Sequence, residues 1–238
     1  MPLKQQNKSY WETLFDEQVE AHPSAFLKQV LKTEYGSEID TTQLDLVHQS
    51  IQANLALDAN DSLLDLCCGN GLITSRLAAN VQTVEAIDFS SCMIDIANSS
   101  FSLPNVNYRV ADVSELSADD SEPFSKILMY EGIQYLDQKA FRNLLHTLTR
   151  SSTGFTFFIG GVPDRQRIRH FYKDEEQYQF YLDSEREGRP HLGHWWDEKA
   201  LTGIARLCGC EIVILPQNPG LYTQHYRFDC LIKYQTSC

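Results

Sequence analysis

Asp65, Cys67, Gly69 and Gly71 stand at alternate positions where the apolar run Ser62-Leu63-Leu64-Asp65-Leu66 gives way to Leu72-Ile73-Thr74. The pattern reads as a strand, a tight loop and the start of a helix. Glycine at 69 and 71 lets the backbone approach a ligand that a Cβ would push away. A second apolar run, Val84-Glu85-Ala86-Ile87, ends at Asp88. A carboxylate at the tip of the second strand of such a unit is placed to accept hydrogen bonds from a ribose diol. These residues suit the holding of a nucleoside-containing cofactor.

The loop discriminates between cofactors. A dinucleotide site takes Gly-x-Gly-x-x-Gly with the pyrophosphate on the helix N-terminus. Here Thr74 stands three residues after Gly71, and Asp65 would repel a nearby pyrophosphate. The same carboxylate suits a cofactor carrying an ammonium group. Asp65-x-Cys67-x-Gly69-x-Gly71 resembles the first motif of the class I S-adenosylmethionine-dependent methyltransferases, Asp/Glu-x-Gly-x-Gly-x-Gly, with its first glycine replaced. Asp88-Phe89-Ser90-Ser91-Cys92-Met93 is similar to the family's segment in which the acid meets the ribose and the next helix covers the adenine. Val110-Ala111-Asp112-Val113 resembles its third motif region, and Ile127-Leu128-Met129-Tyr130-Glu131-Gly132 stands where its fourth would be. The resemblance implies S-adenosyl-L-methionine as cofactor and S-adenosyl-L-homocysteine as product. It assigns cofactor contacts to Asp65, Cys67, Gly69, Asn70, Gly71, Asp88, Phe89, Ser90, Met93, Asp112, Val113 and Tyr130.

Methyl transfer from a sulfonium depends on placing the acceptor and excluding water more than on covalent help. A hydroxyl acceptor also gains from a general base, for which Glu131, His191 and His194 are candidates. Gln134 and Tyr135 are expected to position the acceptor, with Tyr178 and Trp195 on the facing wall. Structural roles compete at these positions: a surface loop for Glu131, and hydrogen-bonded packing beside Trp195-Trp196 for the histidines. The Asn-Pro-Pro-Tyr box of amino-methylating enzymes is missing after the fourth strand pattern, where Tyr130-Glu131-Gly132-Ile133 stands, and so is the catalytic Cys motif of cytosine methylation. A net charge of −12 disfavours phosphate neutralisation. The expected partner is a small-molecule acceptor, such as a sugar or polysaccharide precursor or a secondary metabolite, and no nucleic acid. A nicotinamide-dependent oxidoreductase and a noncatalytic S-adenosylmethionine-binding interaction protein are the competing readings.

Strand patterns fall at 62–67, 83–88, 106–110, 125–130, 154–160, 211–216 and 226–234, with helical patterns at 71–80, 91–100, 137–150 and 197–208. This alternation predicts an α/β fold with helices on both faces of a mostly parallel sheet that ends in an antiparallel hairpin. The resembling family has a Rossmann-like, seven-stranded sheet with that ending. Residues 1–60 read as N-terminal helices capping the core, and residues 61–238 as the methyltransferase domain. Residues 163–195 interrupt the alternation and are too long for a bare connection. Their density of Tyr, Phe, Trp and His suits a lid or acceptor-pocket wall; extra core or a homodimer contact is the alternative. Seven cysteines, odd in number and without metal-ligand spacing, predict a reduced, cytoplasmic protein with no structural metal. No apolar run approaches bilayer length, so no membrane partner is expected.

Overall fold

The computed structural model describes residues 3–34, 36–121, 123–151 and 154–236, with side chains from residue 9 onward. Strands β1 (Thr33–Glu34) and β2 (Ser37–Glu38) form a small antiparallel hairpin. The main sheet contains β3 (Ser62–Leu66), β4 (Thr83–Asp88), β5 (Val106–Val110), β6 (Lys126–Tyr130), β7 (Phe155–Pro163), β8 (Glu211–Pro216) and β9 (Arg227–Tyr234). Its order is β5-β4-β3-β6-β7-β9-β8. Strands β3 to β7 are parallel, and β9 runs antiparallel between β7 and β8. The strand order reverses at β3, which pairs with both β4 and β6. Such a reversal opens a crevice beyond the carboxyl ends of the strands, where ligands bind in open α/β sheets.

The helices are α1 (Leu3–Ala21), α2 (Phe26–Gln29), α3 (Thr41–Leu55), α4 (Leu72–Leu77), α5 (Ser91–Ser100), α6 (Gln138–Leu148), α7 (Ile168–Phe171), α8 (Glu175–Arg186) and α9 (Glu198–Leu207). Alternation along the strands sorts them into two layers. Leu64, Leu66, Ile127, Met129, Phe157 and Ile159 pack under Phe141 and Leu145 of α6 and Leu201 of α9. Leu63, Leu128, Tyr130 and Phe158 face the opposite layer, with Val47 and Ile51 of α3, Leu77 of α4 and Ala97 of α5. Carboxylate caps start several helices where the sequence changes period. Asp40 accepts from Thr42 N–H at 2.8 Å, Asp137 from Ala140 N–H at 2.6 Å and Asp197 from Lys199 N–H at 2.9 Å.

Two additions frame the crevice. Helix α1 lays Trp11 and Phe15 against Met93, Phe89 and Tyr135. The segment 163–195 leaves the end of β7 and returns to it: Arg165 N–H donates to Trp196 O at 2.9 Å, and Trp196 N–H to Pro163 O at 2.8 Å. The long connection thus has pinned ends. Its aromatics form a satellite core of Tyr172, Trp195 and Tyr226, with Phe171, Tyr178, Tyr181 and Leu192 against it. No helix among the described residues is long and apolar enough to cross a membrane, and no described His, Cys, Asp or Glu group could hold a metal. The six described cysteines carry no disulfide; Cys238 lies outside the described residues.

Candidate functional site

A cavity of about 1010 Å³ opens at the carboxyl ends of β3, β4 and β6. One end is built from the loop after β3. Cys67 and Gly69 both take positive φ, 61° and 56°, and Gly71 follows at 81°. That left-handed course aims backbone into the crevice and is easiest for glycine. Asp88 closes this end. Its carboxylate accepts from Gly69 N–H and Ser90 N–H, each at 2.9 Å. Burial pushes the Asp88 carboxyl up to about 6, and the backbone donors hold it from rising further. Each oxygen retains lone-pair capacity for a further donor. Phe89 and Met93 continue the wall, and Trp11 and Phe15 of α1 cover it.

The strap after α2 lies across the same loop. Asn70 donates through Nδ2 to Phe26 O and Gln29 Oε1, both at 2.9 Å, and Gln29 is fully buried. Further along, Lys32 Nζ sits 2.9 Å from Glu131 Oε2, with both side chains largely buried. Burial would raise the Glu131 carboxyl, but Lys32 and Arg227 overcome it and hold the group below its ordinary value. Glu131 adopts a positive φ of 54°. Room for it comes from the opposing glycines: a Cβ on Gly161 would stand 2.5 Å from Glu131 Cγ, and one on Gly160 2.4 Å from the Tyr130 ring. The register of β7 against β9 shifts between Ile159 and Val162 at this same point, as a bulge does when it re-aims a strand end.

The far end is polar at its base and aromatic on its walls. Arg227 is 3% exposed and donates through Nη1 to Gln134 Oε1 at 3.0 Å and to Gly161 O. Tyr135, Tyr222 and Tyr226 flank it, and Phe171, Tyr172, Phe180, His191 and Leu192 of the insertion face them. His191 Nδ1 lies 3.1 Å from Tyr172 Oη, and burial lowers its affinity for a proton.

Of the residues singled out from the sequence, Cys67, Gly69, Asn70, Asp88, Phe89, Met93, Tyr130, Glu131, Gln134, Tyr135 and His191 meet at this cavity. Others do not reach its wall. Strand alternation turns Asp65 onto the α4 face, where it accepts from Thr74 Oγ1 at 2.7 Å; burial pushes its carboxyl up to about 7. It lies outside the cavity lining, beneath the loop. Gly71 makes room instead for Tyr108, whose hydroxyl would be 2.8 Å from an added Cβ. Ser90 caps α5 through Met93 N–H. Asp112 accepts from Ser114 N–H at 2.8 Å, and Val113 joins the core under α6.

The expected wall residues Tyr178, His194 and Trp195 also stand outside the cavity lining. Tyr178 lies under the Arg169 guanidinium, 4.3 Å from its ring centroid. His194 is tied by its own N–H to Gln134 O at 2.7 Å and sets its ring edge against Trp196. Trp195 is buried in the satellite core. The insertion therefore serves both expected roles, one face as extra core and the other as cavity wall. Lys32, Arg227, Tyr222 and Tyr226 were not singled out. A Lys or Arg within an apolar strand context is the signal that points to the two cations, because such groups are rarely fully buried without a partner.

Known proteins share this fold. Residues 63–152 match the family model described as a methyltransferase domain. The magnesium protoporphyrin IX methyltransferase of Synechocystis PCC 6803, solved with bound S-adenosylmethionine, superposes with a TM-score of 0.62 at 14% identity, over 99% of this chain and 98% of that one. An S-adenosylmethionine-dependent methyltransferase from Anabaena variabilis gives 0.67 at 18% identity, over 95% and 94%. The fold is the one these solved methyltransferases have, and residues 63–152 carry the methyltransferase-domain match. In sequence it is 30% identical over 132 residues to a 2-phytyl-1,4-naphtoquinone methyltransferase of Nostoc sp. (strain PCC 7120), covering 52% of this chain and 55% of that relative. The chain spans about half the length of the curated relatives it matches.

Proposed function

We propose that the protein transfers a methyl group from S-adenosyl-L-methionine to a hydroxyl or amine of a small, ring-containing molecule. The observation that carries this reading is one continuous cavity with two unlike ends. The glycine-loop end has the cradle a nucleoside needs, at positions where a side chain would intrude. The other end has the polar base and flat walls an acceptor needs. A volume of about 1010 Å³ lies at the top of the roughly 300–1,000 Å³ usual for a single small-molecule site, which suits two ligands side by side.

When bound, the cofactor supplies an electrophilic methyl on its sulfonium. On this reading Asp88 accepts from the ribose hydroxyls, Phe89 and Met93 flank the adenine, and Cys67, Gly69, Asn70 and Tyr130 border the amino-acid end. Gln134 and Tyr135 orient the acceptor, and the aromatic lining keeps water out. His191 is the better base of the three candidates: it lies at the cavity, burial keeps it neutral, and Tyr172 engages Nδ1. Glu131 is committed to Lys32, and His194 lies outside the cavity. The aromatic walls favour a planar acceptor over the sugar precursor considered from the sequence, and the similarity to a naphthoquinone methyltransferase points the same way. Incubation with S-adenosylmethionine labelled on its methyl group and fractionated small-molecule extracts tests the reading. Label should appear in a compound of low mass, and label only in protein or nucleic acid would overturn it.

A further inference from the structure

Arg227 is a buried cation whose hydrogen-bond partners are all neutral. Nη1 is used by Gln134 and by the Gly161 carbonyl, while Nε is buried and has no partner among the described residues. No described carboxylate forms an ion pair with it. Glu131 is taken by Lys32. Asp229, two residues along β9, turns its Oδ1 to Gly161 N–H at 2.8 Å and Gln217 Nε2 at 3.1 Å. Glu131 and Asp229 act on it through space, yet neither pairs with it directly, and a buried charge without a direct partner is uncommon. Arg227 lines the cavity, at the end away from the glycine loop. A guanidinium with no carboxylate at ion-pair distance among the described residues thus borders the part of the cavity lined by Gln134, Tyr135, Tyr222 and Tyr226.

We infer that this end binds the acceptor through an anionic oxygen group, and that the acceptor is an aromatic carboxylate. The inference rests on the methyltransferase reading of the cavity and deepens it by naming the substrate class. A carboxylate is a planar anion whose oxygens suit the guanidinium of Arg227. The rings of Tyr135, Tyr222, Tyr226, Phe171 and Phe180 supply flat apolar contact for the remainder of the molecule. Tyr226 itself has the guanidinium 5.2 Å from its centroid, which holds Arg227 in place without neutralising it. Lys32 remains engaged with Glu131 at the boundary between the two halves, so the anion's partner is Arg227 and not the strap.

The test compares 6-hydroxy-2-naphthoate with its uncharged analogue 6-hydroxy-2-naphthamide by titration calorimetry, with and without saturating S-adenosylhomocysteine. The acid should bind about ten- to hundredfold more tightly than the amide, the range of a charge-assisted hydrogen bond. Arg227→Gln should bring the acid to the amide's affinity while leaving S-adenosylhomocysteine affinity within about twofold; that second titration also reports whether the variant has folded. If Arg227→Gln does not fold, the acid–amide contrast in the unaltered protein still decides the matter. Equal affinity for acid and amide, or no binding of either at millimolar concentration, would overturn the inference. Failure of S-adenosylhomocysteine to bind would instead overturn the cofactor reading, and the two failures are read from separate titrations.

Discussion

Asp65 and Asp88 end neighbouring strands, and both are buried, yet they are served differently. Asp65 has Thr74 Oγ1 and no backbone donor recorded to its carboxylate, whereas Asp88 has two N–H groups and the cavity. An acid whose pKa is higher folded than unfolded adds stability below its unfolded value, about 3.9, and loses it as the pH rises through its folded value, about 7 for Asp65. Asp65→Asn keeps an acceptor for Thr74 and carries no charge. Relative to this variant, the wild-type melting temperature should therefore decline between about pH 4 and pH 7, checked by calorimetric melts of both proteins. Parallel profiles would show that Asp65 is not a buried acid of raised pKa. Asp88→Ala should weaken S-adenosylhomocysteine by about 1.5–3 kcal/mol in a titration, the scale of a hydrogen bond to a charged group. The two acids look alike in the sequence. Only the alternation along β3, which sends Asp65 toward α4, separates their roles.

At the scale of elements, the strands and helices of the sheet were legible because each is a run of one period bounded by a cap or a turn. β3, β4 and β5 coincide with their expected positions to within a residue. The strap between α2 and β2 was not legible, because its meaning depends on partners far along the chain. Lys32 and Glu131 are 99 residues apart, and nothing local to either announces the other. The insertion was legible as an aromatic element at the ligand end of the sheet, but not in which rings face inward. A histidine tethered by its backbone to Gln134 reads like a free one until that bond is seen. The strap yields a prediction of its own. Lys32→Met leaves Glu131 charged in a buried place and should destabilise the fold by about 3–5 kcal/mol, measured by denaturant unfolding. Adding Glu131→Gln should restore much of that loss. A double variant as unstable as the sum of the singles would mean that the ion pair does not couple the strap to β6.

The whole molecule is a sheet whose order reverses at β3, with one cavity over that reversal and two additions, α1 with its strap and the 163–195 insertion, closing it from either side. The proposed cofactor would touch the loop after β3, the tip of β4, α1 and the strap together, and so add to the contacts these parts already share. Any ligand bound only by the native state stabilises it by mass action, by roughly 2.7 kcal/mol at a hundredfold excess over its dissociation constant. S-adenosylhomocysteine should therefore raise the melting temperature in a concentration-dependent way. The most direct test of the central claim, that one end of this cavity is a site for an S-adenosylmethionine-type cofactor, is a titration of the protein with S-adenosylhomocysteine beside one with NADH. One-to-one binding in the micromolar range for the former, weakened by Asp88→Ala, and no heat from the latter is the result expected. Binding of NADH without S-adenosylhomocysteine, or an affinity indifferent to Asp88→Ala, would contradict it.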